Sequence, residues 1–383
     1  MISEKEKSRN YGIELLRTMA MFAIVLQHCI MRSGMADAQT VLSAENGITF
    51  FILFLCYGAV DMYLLVSGYV NAKSKYKLFR IMFLWIEVVF YNIVITAVSK
   101  LVLRLPITAG EALGVFTPFI HHEYWFFTRY VILFALMPLL NRLANKLPRK
   151  WYQALLSVIL VLFCIAAPIV KKYTDIDIFV LKNGYSAVWF AAMYLTGAYF
   201  RIHEREGKPR VIVCVLFFVL FSTLAYVDGW GVAAVSLRRF GTAYSSGLSS
   251  YPYISPFVVA AVICLFLALK NVSPKGAVLR FAKAAGPLTF GVYLIHDNPI
   301  SREYIVFRLG KRLHEFFGAS VSSLLIIILF AAAIFAASLL IEFVTQKLFR
   351  VLKIKEVCQK FTDFVGEKIF KKIKPIYSLY FGS

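Results

Sequence analysis

The chain has 383 residues, of which 60% are hydrophobic and 16% aromatic, and it carries a formal net charge of +21. Soluble domains hold about 45–50% apolar residues, so this composition argues against an ordinary soluble enzyme and for a polytopic membrane protein. The basic excess gathers at the ends of apolar runs, which reads as membrane topology with some attraction to anionic lipid and argues against a nucleic-acid binder.

A membrane-spanning helix needs about 20 apolar residues. Ten runs reach or approach that length, at 12–32, 48–70, 79–101, 124–141, 152–170, 185–200, 210–227, 251–269, 288–307 and 319–345. The first is too long for the apolar region of a signal peptide and is followed by no small-residue cleavage site, so it is expected to remain as a span. With the N-terminus inside, most of the 42 Lys and Arg fall in cytoplasmic segments, which predicts cytoplasmic termini at both ends. An outer segment with Arg302, Arg308, Lys311 and Arg312 runs against that rule. The fold class expected is all-α: a polytopic transmembrane helical bundle of about ten helices over residues 1–345, followed by a basic amphipathic tail at 346–383.

The first span, NYGIELLRTMAMFAIVLQHCI, carries Glu14, Arg17 and His28. Arg17 and His28 are eleven residues apart, about 20° past three full turns, so they share a face at a separation of about 16 Å along the axis. Glu14 and Arg17 are an i,i+3 pair on that side. Ionisable groups inside a membrane mark functional sites by default. Glu14 reads equally as the counter-ion of Arg17.

The second span ends DMYLLVSGYVNAKSKYKLFR. Ser67 and Gly68 permit close helix packing, and Lys73, Lys77 and Arg80 stand at the cytoplasmic mouth, where cations suit phosphates. In HHEYWFFTRYVILFALMPLLN, Tyr124 and Trp125 mark the outer boundary, and Arg129 needs a partner, for which Glu87 in the third span is the candidate. Three consecutive residues, His121, His122 and Glu123, cannot all face one ion on a helix, and no metal site is expected. In GPLTFGVYLIHDNPI, His296 and Asp297 fall near the middle of the ninth span, with Tyr293 one turn before His296. The six cysteines are isolated and read as small buried hydrophobes. In the tail, Ile354, Cys358, Phe361, Val365 and Ile369 repeat at helical spacing among lysines, which predicts a helix lying on the inner leaflet. There is no GxSxG elbow, Walker A loop or HExxH.

At these residues the chain resembles the acyltransferase 3 family of integral membrane acyltransferases, whose members O-acylate cell-surface glycans. Arg17 and His28 match the family's opening Arg-(ten residues)-His motif, with Glu14 as its preceding acid. VDMYLLVSGYV is similar to the Asp…Ser-Gly motif at Asp61, Ser67 and Gly68. Lys77 and Arg80 resemble the Arg-x-x-Arg pair, with Lys in the first place. YWFFTRYVILFALMPLLN and TFGVYLIH resemble the Trp-Phe…Pro-Leu-Leu-Asn and Tyr-Leu-x-His segments. The resemblance implies a multi-pass plasma-membrane enzyme that uses acetyl-CoA from the cytoplasmic side, without a metal. Its acceptor is then a hydroxyl of a cell-surface glycan or lipid-linked saccharide outside. His28 would act as general base or transient acyl carrier, since imidazole titrates near neutrality, and Arg17 would position the donor. Glu14, Ser67, Lys77, Arg80, Trp125, Tyr293 and His296 are the expected binding residues. No extracytoplasmic hydrolase-like domain follows the core, so a separate extracytoplasmic transferase partner is an expected alternative to direct transfer. A transporter of a glycan or small solute is the competing class, because it too places charges on an internal pathway.

Overall fold

The computed structural model describes residues 10–36, 43–104, 124–203, 210–244, 252–318 and 320–368, with the isolated positions 114, 116 and 248. Among them there are helices and turns and no strand. The His121–His122–Glu123 run and Ile369 lie outside the described residues.

The helices in chain order are α1 (Tyr11–Arg32), α2 (Ala44–Asn71), α3 (Phe79–Leu103), α4 (Trp125–Lys146) and α5 (Arg149–Thr174). Then come α6 (Ala187–Ile202), α7 (Val211–Phe240), α8 (Pro256–Leu269), α9 (Gly276–His296), α10 (residues 299–317), α11 (Val321–Val351) and α12 (Ile354–Lys368). Eight of the described helices are long and apolar enough to cross a membrane: α1 to α5, α7, α9 and α11. Two expected spans are shorter, with 16 residues in α6 and 14 in α8. At 1.5 Å per residue they rise about 24 Å and 21 Å, less than the roughly 30 Å of a hydrocarbon core.

Local chemistry sets the helix ends. Asn10 caps α1 by accepting from the Ile13 amide at 3.2 Å, and its own amide donates to the Lys270 carbonyl at 2.7 Å, fastening the start of α1 to the end of α8. Ser43, Ser186 and Ser320 cap α2, α6 and α11 in the same way. The ninth span departs from expectation. It starts at Gly276 rather than 288 and stops at His296, because Asn298 precedes Pro299 and leaves the helical region (φ −56°, ψ 136°). The residue before a proline disfavours helical backbone, and a proline at the first helical position starts a new helix. His296 and Asp297 thus stand at the end of α9, not its middle. The segment expected as an outer loop is α10, and its residues Arg302–Leu309 form a π-helical stretch.

The centre of the bundle is α6, whose Trp189, Phe190, Met193 and Tyr194 are fully buried. It meets α2 backbone to backbone: a Cβ on Gly68 would strike the Tyr194 carbonyl, and one on Gly197 would strike the Leu65 carbonyl. Small residues permit this approach, the usual way apolar helices find van der Waals contact in lipid. Across the same pair Asp61 is buried and accepts from the Trp189 indole N–H at 2.8 Å.

Arg129 does not reach Glu87; its Nε donates to the Tyr185 carbonyl at 3.2 Å. Glu87 belongs instead to a polar cluster between α3 and α11. There Gln346 donates to Glu87 and Glu342, and the Tyr91 hydroxyl donates to Glu342 at 2.5 Å. Burial in one cluster lets neutral donors satisfy both acids, so no arginine is needed. The cysteines are free, and all but the half-buried Cys264 are buried. In α12, Ile354, Cys358, Thr362 and Val365 form the covered face, whereas Phe361, expected on it, is exposed with Val357 and Phe364. The helix packs against α3, and a second apolar stripe stays uncovered between lysines.

Candidate active site

One end of the bundle holds a cavity of about 400 Å³, lined by His28 and Arg32 of α1, Tyr63 of α2, Trp125 and Phe126 of α4, Tyr293 and Asp297 of α9 and its end, and Arg302 of α10, with apolar and aromatic neighbours. A pocket of this size suits one small ligand or one end of a larger one. Five helices, α1, α2, α4, α9 and α10, and two connecting segments converge here. The ends of α1 and α9 meet the start of α4 and the chain just before α6 and α8, from which Tyr185 and Tyr253 enter.

His28 and His296 come from opposite ends of the sequence and meet at 3.1 Å, His28 Nδ1 to His296 Nε2. His296 is 2% exposed, and its Nδ1 lies 2.7 Å from the Val292 carbonyl. A carbonyl only accepts, so the proton of His296 sits on Nδ1. Its Nε2 is then an acceptor, and the proton of neutral His28 sits on Nδ1. That leaves His28 Nε2 with a free lone pair and, among the described residues, no hydrogen bond. Asp297, also 2% exposed, places Oδ1 3.7 Å from His28 Nδ1 and 3.8 Å from Arg302 Nη1.

A buried network fixes this geometry. Asn298 donates to the Tyr124 hydroxyl at 2.9 Å and to Asn92 at 3.2 Å, and its side chain accepts from the Ile300 amide. Tyr124 passes the connection on, donating to the Leu294 carbonyl at 2.9 Å. The break after α9, which sets the positions of His296, Asp297 and Arg302, is thus tied to α3 and to the start of α4. Tyr293 packs its ring against Tyr124 and Phe126, with centroids 5.6 Å and 5.9 Å apart, and its buried hydroxyl makes no hydrogen bond among the described residues. Trp125 rests against Tyr185, with ring centroids 4.5 Å apart.

The residues singled out in the sequence divide into two groups. His28, Trp125 and Tyr293 line the cavity, and His296 supports His28 from behind. Glu14 and Arg17 stand nearer the other end of α1, paired at 3.3 Å. The Arg17 carbonyl accepts from Tyr63 at 2.7 Å, which joins that level to the cavity floor. Ser67 and Arg80 belong to a polar cluster at the far end of α2: Arg80 donates to the Asn71 side chain at 3.1 Å, Asn71 donates to the Ser67 carbonyl at 2.9 Å, and Ser67 meets the Tyr130 hydroxyl at 3.3 Å. Lys77 is exposed beside this cluster. Arg32, Arg302, Tyr63 and Asp297 stand at the site without being among the catalytic or binding residues expected from the sequence. Arg32 carried a usable signal, being one helical turn beyond His28 on the same face. Arg302 carried none, since its direction depends on the π-helical stretch that begins with it.

The family model for the acyltransferase domain matches residues 10–343. No curated protein and no solved structure matches the chain. With most of its length covered, the chain belongs to the acyltransferase 3 family.

Proposed function

We propose that this membrane acyltransferase moves an acetyl group from cytoplasmic acetyl-CoA to a sugar hydroxyl of a cell-surface glycan or lipid-linked saccharide, with His28 as the general base. The observation that carries the reading is the hydrogen-bond chain from His28 Nδ1 through His296 to the Val292 carbonyl. It leaves His28 Nε2 unprotonated beside a cavity lined with aromatic rings, surfaces on which sugar faces stack.

In this mechanism the acceptor hydroxyl gives its proton to His28 Nε2 as its oxygen attacks the thioester carbonyl. A C–O bond forms; the tetrahedral intermediate collapses, the C–S bond breaks, and His28 returns the proton to the departing CoA thiolate. The imidazolium formed in between is held by the bond from Nδ1 to His296 and by Asp297 at 3.7 Å. Such a base contributes about 10²–10⁴-fold in rate. Arg17 and the cluster at Arg80 lie toward the opposite end, where the topology rule puts the cytoplasm. Their cations suit the phosphates of CoA, and the donor would reach upward past Tyr63. Residues 1–345 form the catalytic unit, and α12 rests on the inner leaflet of the plasma membrane.

The test is transfer from isotope-labelled acetyl-CoA to a saccharide by the purified protein in nanodiscs, read by mass spectrometry. Labelled saccharide that disappears with His28→Ala is expected. A protein that neither binds nor hydrolyses acetyl-CoA would overturn the reading in favour of a transporter.

A further inference from the structure

The cavity holds two guanidinium groups that the proposed acyl-transfer chemistry does not use. Arg32 lines it from the last turn of α1 and Arg302 from the first π turn of α10. Each guanidinium offers five N–H donors in a planar fork. Among the described residues Arg32 makes no hydrogen bond or ion pair, and the single acidic partner of Arg302 is Asp297, at 3.8 Å too distant for a hydrogen bond. Glu303, the next acid, is taken by Arg308 at 2.9 Å. Two cations therefore face one carboxylate in a half-enclosed, largely apolar space. Unpaired, partly buried guanidinium forks are costly to hold unless a ligand completes them. This also accounts for a topological anomaly: Arg302 lies in the outer segment that runs against the positive-inside rule.

We propose that Arg32 and Arg302 form an anion seat that selects acceptors whose reacting hydroxyl lies close to a carboxylate or phosphate. The inference rests on the acyl-transfer reading and names its substrate class: an acidic saccharide rather than a neutral one. Both guanidiniums belong to the cavity that His28 lines, so the anion they grip sits on the ring that presents the hydroxyl or on its neighbour. Trp125 and Tyr185 offer that ring an apolar face. A planar fork matches either anion in two-point contact, which a lysine would not reproduce.

The experiment uses the full chain in phosphatidylcholine nanodiscs, with and without added phosphatidylglycerol. Three matched disaccharides serve as acceptors: one with a glucuronate, its carboxyl-reduced neutral twin, and a phosphorylated counterpart. Transfer from acetyl-CoA is measured by mass spectrometry, and binding without donor by quenching of tryptophan fluorescence. Wild type is expected to prefer an acidic acceptor over its neutral twin by about tenfold or more in kcat/KM and in Kd, the scale of one charge-assisted hydrogen bond. Arg32→Gln and Arg302→Gln should each lower that ratio several-fold, and Arg302→Lys should keep part of it, with the KM for acetyl-CoA little changed. Equal binding of acidic and neutral twins by wild type overturns the seat while leaving acyl transfer standing. A rise in the acetyl-CoA KM with an unaltered acceptor ratio assigns the pair to the donor and also overturns it. Loss of the preference on adding phosphatidylglycerol assigns the pair to lipid headgroups and overturns the seat as well. Absence of transfer to all three acceptors counts against acyl transfer, and the binding ratio still decides the seat.

Discussion

His28 Nδ1 and His296 Nε2, separated by 268 positions in sequence, lie 3.1 Å apart in the folded chain. The pair divides labour: one ring faces the cavity, and the other, anchored on the Val292 carbonyl, dictates where the first keeps its proton. His28→Ala is expected to lower kcat for acyl transfer by about 10²–10⁴-fold with normal expression. His296→Ala should cost less, about 10-fold to 10²-fold, because it removes orientation and not the base itself. Equal activity of both variants and wild type in the labelled-acetyl assay would disprove these roles.

Asn298 acts at a distance from the chemistry. Asn298→Ala loses its bonds to Tyr124 and Asn92 and the cap on Ile300, and the loss of these buried hydrogen bonds costs about 1–3 kcal/mol. The detergent-solubilised protein should melt at a lower temperature, and kcat should fall as His296 and Arg302 lose their register. A melting curve that superimposes on wild type would contradict this.

Gly68 and Gly197 admit no side chain. A methyl at either position meets a carbonyl of the facing helix, so Gly68→Ala or Gly197→Ala should cost about 2–4 kcal/mol, at or above the usual range of overpacking because backbone must move. Gly68→Leu should fail to give a monodisperse peak on size exclusion. Normal yield and thermal stability of Gly68→Leu would show that α2 and α6 are not in this contact.

Arg17→Gln separates two roles for one cation. If Arg17 holds a CoA phosphate, the KM for acetyl-CoA rises about tenfold, roughly the value of one charge-assisted bond, with a smaller change in kcat. If it serves Glu14 alone, stability drops and KM stays put. Steady-state kinetics beside a melting curve distinguish the two.

Much of the fold is legible in the sequence itself. Hydropathy marks the helices, the eleven-residue interval puts Arg17 and His28 on one face, and five short motifs in order point to the family. The break before Pro299 is legible as well, since Asn-Pro is a local signal; length counting alone pushes the ninth span too far along. What the sequence does not reveal is which distant groups meet. Nothing in a one-dimensional pattern links His28 to His296, or sends Arg129 to the Tyr185 carbonyl and Glu87 to Gln346, because those choices are made by helix packing. The direction of Arg302 is also hidden, since one extra residue per π turn rotates everything that follows it.

The glycine contact between α2 and α6 has a mechanical consequence. With backbones touching, no layer of side chains is left between the two helices to slide or repack, and the Asp61–Trp189 bond pins them again. They can travel only as a single rigid body, carrying Tyr63 as a fixed wall. The other walls, built from α1, α4, the end of α9 and the π-helical start of α10, meet that body through side chains, the Tyr63 bond to the Arg17 carbonyl among them. Any breathing that admits an acceptor or releases a product must therefore be borne by the half of the cavity that carries the imidazoles and guanidiniums.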